Sequence, residues 1–213
     1  MLMPKMIDKV SSWKFAEDFT PEPPAIRSAR AAGEELGVES VTEATGGQLA
    51  AVAALTRAKS IVEVGTGAGV SALWLLSASE DSVLTTIDSE PEYQNVAKKS
   101  FQSAEIAPAR IRAISGRASA VLKNMAEGGY DLVFLDLEPQ DMEQLLDSAI
   151  SLAKPGGAIV IAHAMWRDRL ANPTLRDEDT VAMRAIHSRL SEQEEFVSTL
   201  SLVGDGLLIA VKR

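Results

Sequence analysis

The stretch Ile61-Val62-Glu63-Val64-Gly65-Thr66-Gly67-Ala68-Gly69-Val70-Ser71 limits what this chain can fold into more than any other part of it. A short β-branched run carries an acid and stops at closely spaced glycines, and an apolar pattern with Leu73, Leu75 and Leu76 follows. That order reads as strand, tight loop and helix. Glycine has no Cβ, so the loop backbone can come close to a bound molecule. The helix behind it aims free N–H groups at the same place.

The alternation continues along the chain. Ser82 to Asp88 is a β-branched strand ending in an acid, about 20 residues beyond the glycines, where doubly wound folds place a ribose-binding carboxylate. Pro91 sits in the first turn of a helix running to about Ala104. Arg110 to Ser115 is a third strand, and Gly116 to Leu122 opens a helix that Gly128-Gly129 ends. Tyr130 to Asp136 is an apolar fourth strand, again ending in an acid. A helix from Asp141 to Ala153 stops at Lys154-Pro155-Gly156-Gly157, and Ala158 to Ala162 is the fifth strand. After a loop over 163–176, Asp177, Glu178 and Asp179 start a helix whose Ala182, Ile186 and Leu190 share one face. Residues 196–200 and 207–211 form a terminal hairpin around Gly204-Asp205-Gly206.

Upstream, residues 25–36 and 48–55 read as helices, with Val41 to Thr45 extended and Gly46-Gly47 leading into the second. Residues 1–24 read as an irregular arm: Pro21, Pro23 and Pro24 prevent a continuous helix, and Trp13, Phe15 and Phe19 suit packing on the body or on a partner subunit. The fold class expected is α/β: a Rossmann-like, doubly wound, mostly parallel seven-stranded sheet with a terminal antiparallel hairpin and an N-terminal helical extension. One domain spans 1–213, with 1–24 as its N-terminal arm.

Composition narrows the function classes. A chain of 213 residues that is 46% hydrophobic can bury one sizeable core. Its net charge of −9 disfavours nucleic acid and anionic membranes as main partners, because both carry phosphate charge. Without cysteine, neither disulfides nor thiolate chemistry are available. No apolar run reaches the roughly 20 residues that span a bilayer, and the N-terminus lacks a basic segment followed by an apolar core. A cytoplasmic protein is the expectation.

The glycine loop does not match the dinucleotide fingerprint G-x-G-x-x-G, since Val70 stands at the third glycine position and Gly69 precedes it. Its pattern, Glu63-x-Gly65-x-Gly67-x-Gly69, is similar to motif I of class I S-adenosylmethionine (SAM)-dependent methyltransferases. The ordered set Gly47-Gln48-Leu49, Glu63 to Gly67, Ser71, Ile87-Asp88, Gly116-Arg117-Ala118, Tyr130 to Asp136, Pro155-Gly156-Gly157 and Gly204 to Leu207 resembles the catechol and caffeoyl-CoA O-methyltransferase family, from about residue 38 to the end. The resemblance implies SAM as cofactor and a hydroxyl-bearing small molecule as substrate, in a homodimer. Carried over by position, Val41 covers the methionine end of SAM, and Glu63, Gly65, Thr66, Gly67 and Ser71 surround its amino acid part. Asp88 holds the ribose hydroxyls, Ala118 contacts the adenine through its backbone, and Asp136 borders the cofactor at the reaction centre.

The family also uses a divalent cation, usually magnesium, bound by an aspartate after the fourth strand and an Asp-Asn pair after the fifth. A lysine three residues past the first aspartate takes up the hydroxyl proton. Here Asp136 matches the first aspartate, but the pair falls on Ala162-His163 and the lysine on Pro139, while Trp166 matches a tryptophan of some members. Alanine cannot ligate magnesium, and imidazole suits softer metals. Two readings of His163 as a functional group follow. With Asp136, and with Glu138 as a further donor, it binds a softer cation, or no metal binds and His163 is a general base. Its ordinary pKa of about 6.5 would then make the rate rise with pH near 6–7. A third reading leaves it a packing residue. The catalytic candidates are therefore His163 and Asp136, with no residue assigned to a metal. Met165 and Trp166 are candidates for the substrate pocket. A SAM-binding protein without catalysis and a nicotinamide-dependent oxidoreductase are the alternatives.

Overall fold

The computed structural model describes residues 8–213. Among these residues the strands are β1 (Ser60–Val64), β2 (Val83–Asp88), β3 (Ile111–Ser115), β4 (Tyr130–Leu135), β5 (Ala153–Ile161), β6 (Phe196–Ser201) and β7 (Leu207–Lys212). The helices are α1 (Lys9–Glu17), α2 (Pro24–Glu34), α3 (Glu43–Leu55), α4 (Val70–Ser77), α5 (Pro91–Ser103), α6 (Ala118–Val121), α7 (Pro139–Leu152) and α8 (Glu178–Ser191).

Period-two alternation along the central strands divides the core into two layers. Ile61, Leu132, Phe134, Ala158 and Val160 face one side, against α3, α4 and α5. Val62, Val64, Val133, Leu135, Ile159 and Ile161 face the other, against α7 and α8. Successive Cβ atoms of a strand point to opposite faces, so strands buried on both sides read as continuous apolar runs. Phe134 is fully buried at the centre, and truncating such a ring costs about 3–5 kcal/mol.

The sheet order is β3-β2-β1-β4-β5-β7-β6. Strands β1 to β5 pair in parallel, and β7 is antiparallel to both β5 and β6. The doubly wound arrangement with one reversed strand is the one expected from the sequence. The chain runs outward from β1 through β2 to β3 and then returns to lay β4 on the other side of β1. The gap between the carboxyl ends of β1 and β4 is thus the switch point, where open α/β sheets bind ligands.

Four local expectations need correction. Of the arm expected over 1–24, residues 1–7 lie outside the described residues, and the rest is not irregular throughout: Asp8 caps α1 by accepting the Ser11 N–H, and the prolines lie beyond the helix end, Pro24 serving as the first residue of α2. The α3 helix begins at Glu43, with Thr42 as its cap, so residues 43–45 are helical and Gly46-Gly47 lie within the helix. Those glycines are accommodated by packing, since a Cβ on Gly46 would meet the Trp74 indole and one on Gly47 the Thr20 side chain. The helix expected from Gly116 to Gly128 is only α6 and a 3₁₀ turn, Leu122–Asn124. Finally, β5 starts at Ala153, with a register shift against β4 between Tyr130 and Leu132.

Candidate active site

A cavity of about 1100 Å³ opens over the carboxyl ends of β1, β2 and β4. Val41, Gly65, Thr66, Gly67, Ser71, Asp88, Ala118, Asp136 and His163 all line it. These residues come from six separate segments of the chain, so the sheet gathers nearly every candidate into one place.

Gly65 leaves β1 at φ +99, and a Cβ there would overlap the backbone carbonyl of Asp136. The two strand ends touch at this point, so only glycine fits. Gly67 (φ +50) and Gly69 (φ +88) continue the turn, and Gly69 caps α4 in the left-handed conformation. The bare loop and the free N–H groups of the α4 first turn make a cradle suited to close backbone approach by a ligand.

Asp88 closes the loop from the side. Its Oδ2 accepts the N–H groups of Thr66 and Gly67, each at 3.0 Å, and its Oδ1 accepts that of Glu90 at 2.9 Å. A carboxylate has about four lone-pair sites, so capacity is left for a ribose hydroxyl. Asp88 therefore pins the glycine loop as well as facing the cavity.

Glu63 lies beneath the loop, fully buried. Its strand parity turns it toward α4, where the Ser71 hydroxyl donates to it at 2.6 Å, while Thr86, its register partner on β2, donates at 2.5 Å. Burial pushes its pKa up to about 8, against the pull of these two hydroxyls. The carboxyl does not itself line the cavity; Ser71 stands between.

His163 follows β5 with φ 51. Its Nε2 lies 3.4 Å from Asp136 Oδ1 and its Nδ1 3.4 Å from Asp205 Oδ2, both at ion-pair distance. Asp136 beside the ring, with Asp205 and Glu39 behind it, overcomes the opposing effect of burial and raises the His163 pKa to about 9. The expectation of an ordinary value near 6.5 is corrected accordingly: a ring between two carboxylates keeps its second proton at neutral pH.

The donor set does not fit magnesium. Ala162 is buried and offers no side-chain donor, and the two nitrogens of His163 point to different carboxylates instead of converging on one ion. Pro139, at the lysine position, begins α7. Glu138 lines the cavity, but no group of three or more His, Cys, Asp or Glu among the described residues is placed to hold a metal.

Trp166 lines the large cavity as expected, but Met165 lines a separate cavity of about 390 Å³. Beside that cavity His187 is joined to the Ala164 carbonyl at 2.8 Å. The residue missed by sequence reasoning is Asp205. Its signal was an acid between two glycines in a hairpin turn, which reads as turn chemistry until the sheet order lays β7 beside β5.

A family model described as O-methyltransferase matches residues 27–213. A relative from Mycobacterium sp. (strain JLS), named "Putative O-methyltransferase", is 45% identical over 198 residues, covering 92% of this chain and 90% of its own length. A similarly named protein of Mycobacterium avium (strain 104) is 43% identical over 198 residues, with 92% and 89% covered. Among solved structures, a Corynebacterium glutamicum protein matches with a TM-score of 0.87 at 30% identity, over 95% of this chain and 96% of that one. The O-methyltransferase TomG of Streptomyces achromogenes, solved in complex with SAM, matches in fold with a TM-score of 0.81 at 24% identity, over 97% and 99%. Because the family model covers all but the first 26 residues and the relatives align along nearly their whole length, the chain belongs to the O-methyltransferase family.

Proposed function

We propose that this SAM-dependent O-methyltransferase methylates the hydroxyl of a small molecule through Asp136 and His163, without a divalent cation. The observation that carries the reading is a single cavity running from the glycine cradle to the Asp136–His163 pair. When bound, SAM supplies a methyl on a sulfonium sulfur: the hydroxyl oxygen's lone pair forms the new O–C bond, the C–S electrons remain on sulfur, and the hydroxyl proton leaves. The chain's residues position the two reactants and receive that proton. Gly65 and Gly67 let the loop approach the methionine part, Ser71 and the buried Glu63 behind it face its ammonium, and Asp88 takes the ribose hydroxyls. Val41 covers the methionine end, and Ala118 borders the adenine. Holding oxygen and methyl in line supplies much of the rate.

His163 is the proton acceptor and Asp136 its partner at the reaction centre. Its raised pKa implies a rate that increases with pH through about 9, where the neutral ring appears. Without a catalytic role for the site, the protein would bind SAM and turn nothing over. A nicotinamide ligand is disfavoured by Val70 at the third glycine position.

Three further readings rest on the same structure. The sheet is continuous from β3 to β6, which supports one domain. A second copy of the chain suits the apolar surface of α1 and the residues after it, where Val10, Phe15 and Phe19 stand exposed and the Trp13 indole donates to the Leu202 carbonyl. No helix of the described residues is long and apolar enough to cross a membrane, and the acidic charge argues against nucleic acid. Those features suit a cytoplasmic homodimer. The test is SAM turnover on a panel of catechols and other phenols in excess EDTA. Product at an undiminished rate supports the reading, whereas activity lost to EDTA and restored by a divalent cation overturns it. SAM binding with no turnover across the panel favours the binding protein.

A further inference from the structure

We infer that Asp205 is a positioning residue for this reaction: from the β6–β7 turn it fixes the orientation and tautomer of the His163 ring. The inference rests on the reading of His163 as proton acceptor, and it follows from the way one side chain serves two ends of the same loop.

The segment after β5 is held in an unfavourable conformation. His163, Trp166, Arg167 and Asp168 all have positive φ, at 51, 47, 54 and 59. Non-glycine residues in this region cost about 1–3 kcal/mol each and persist only where their surroundings hold them. The Gly204-Asp205-Gly206 turn does the holding. Ala164 N–H donates to the Gly206 carbonyl at 3.0 Å, Met165 N–H to the Asp205 carbonyl at 2.8 Å, and Arg167 N–H to Asp205 Oδ1 at 2.6 Å. The other carboxylate oxygen, Oδ2, is the atom facing His163 Nδ1. With Oδ1 occupied, Oδ2 is left to accept from the ring. Asp136 Oδ1 lies at the same 3.4 Å from Nε2, so for Nε2 to take the substrate's proton the neutral imidazole must keep its own on Nδ1, with Asp205 as the acceptor that holds it there. The lone pair is then on Nε2, the nitrogen beside Asp136 at the cavity.

The charged groups facing the ring are Asp136 after β4, Asp205 in the turn and Glu39 ahead of α3. Arg167, in the same loop, is held 3.5 Å from Glu39. Asp205 is the one among them that also clamps the loop through a backbone N–H. The turn is anchored in its own right: Glu17 of α1 accepts the Gly204 N–H and the Thr42 hydroxyl.

The test is Asp205→Asn in the full-length protein. An asparagine keeps its carbonyl oxygen for the Arg167 N–H and turns an NH₂ donor toward Nδ1. The ring must then present its lone pair on Nδ1 and carry its proton on Nε2, the wrong way round for accepting a proton at the cavity. Imidazole ¹⁵N and ring-proton NMR reads this directly, because the chain has only His163 and His187 to assign. The expected result is a His163 titration midpoint lowered relative to the parent, and a neutral form switched from the Nδ1–H to the Nε2–H tautomer. The turnover should fall about 10²–10⁴-fold, as when a general base is lost, with the KM for SAM unchanged and partial recovery in Asp205→Glu. An unchanged His163 midpoint and tautomer overturn the inference. The NMR result does not depend on turnover, so a parent protein that proves inactive refutes the proposed function while leaving the Asp205–His163 coupling measured.

Discussion

Replacing Asp88 with alanine removes three hydrogen bonds before any ligand binds. Two of them, from Thr66 and Gly67, fix the glycine loop, and the third, from Glu90, fixes the entry to α5. The side chain is only partly buried, so water can replace some of these contacts, and a net loss of about 1.5–3 kcal/mol is reasonable at roughly 0.5–1.5 kcal/mol per bond. For a domain of this size, each kcal/mol moves the Tm by about 2–4 °C. The apo protein should therefore melt about 3–12 °C lower. Loss of the ribose contact adds about 1–3 kcal/mol to the binding deficit, raising the Kd for SAM by about 5- to 150-fold. Calorimetry and thermal melts on the same preparation separate the two roles. A lower Tm with an unchanged Kd would reduce Asp88 to a pin for the loop. If neither quantity moves, both the hydrogen-bond assignment and the ribose role are wrong. Asp88→Asn, which keeps one acceptor oxygen, should fall between the parent and the alanine variant in both measurements.

His163→Ala should lower turnover by about 10²–10⁴, the usual worth of general-base catalysis, and remove the rise in rate through pH 9 while leaving SAM affinity intact; a full-rate variant would make the histidine a packing residue. Glu63 and His163 both bind protons more tightly folded than unfolded, so their stabilisation is complete below their ordinary values and is lost as pH rises through about 8 and about 9. The Tm of the apo protein should therefore decline from pH 6 to 9, and Glu63→Gln should flatten the lower part of that decline; an identical slope in the variant would show that Glu63 ionises freely. Gly65→Ala should cost about 2–4 kcal/mol, because it combines a positive φ with overlap against the rigid Asp136 backbone, and a melting point within a degree of the parent would contradict the contact between the β1 and β4 ends. Deleting residues 1–20 should reduce oligomer size and weaken substrate binding, since it removes the exposed α1 surface and the Glu17 contacts to Thr42 and Gly204; light scattering and binding both unchanged would leave the segment a tail.

What the sequence determined by itself was carried by local signals. The layered sheet follows from β-branched runs buried on both faces, and the ligand end follows from acids and glycines at the ends of those runs, because a strand's period and a glycine's φ are properties of adjacent residues. From these alone Gly65, Gly67, Asp88 and Asp136 were picked out; Ala118 and His163 came from the family resemblance, and all six meet in one cavity. Tertiary structure decided what local signals could not carry. Gly46 and Gly47 read as helix breakers but lie in α3, because Trp74 and Thr20 pack where side chains would otherwise project. Glu63 reads as a ligand-facing acid but sits under Ser71, because strand parity turns it toward α4. The proton on His163 depended first on Asp136 and then on Asp205, far along the chain and brought alongside only when β7 inserts next to β5. A pKa is set by charges within a few ångströms in any direction, and such distances exist only once the sheet has been assembled.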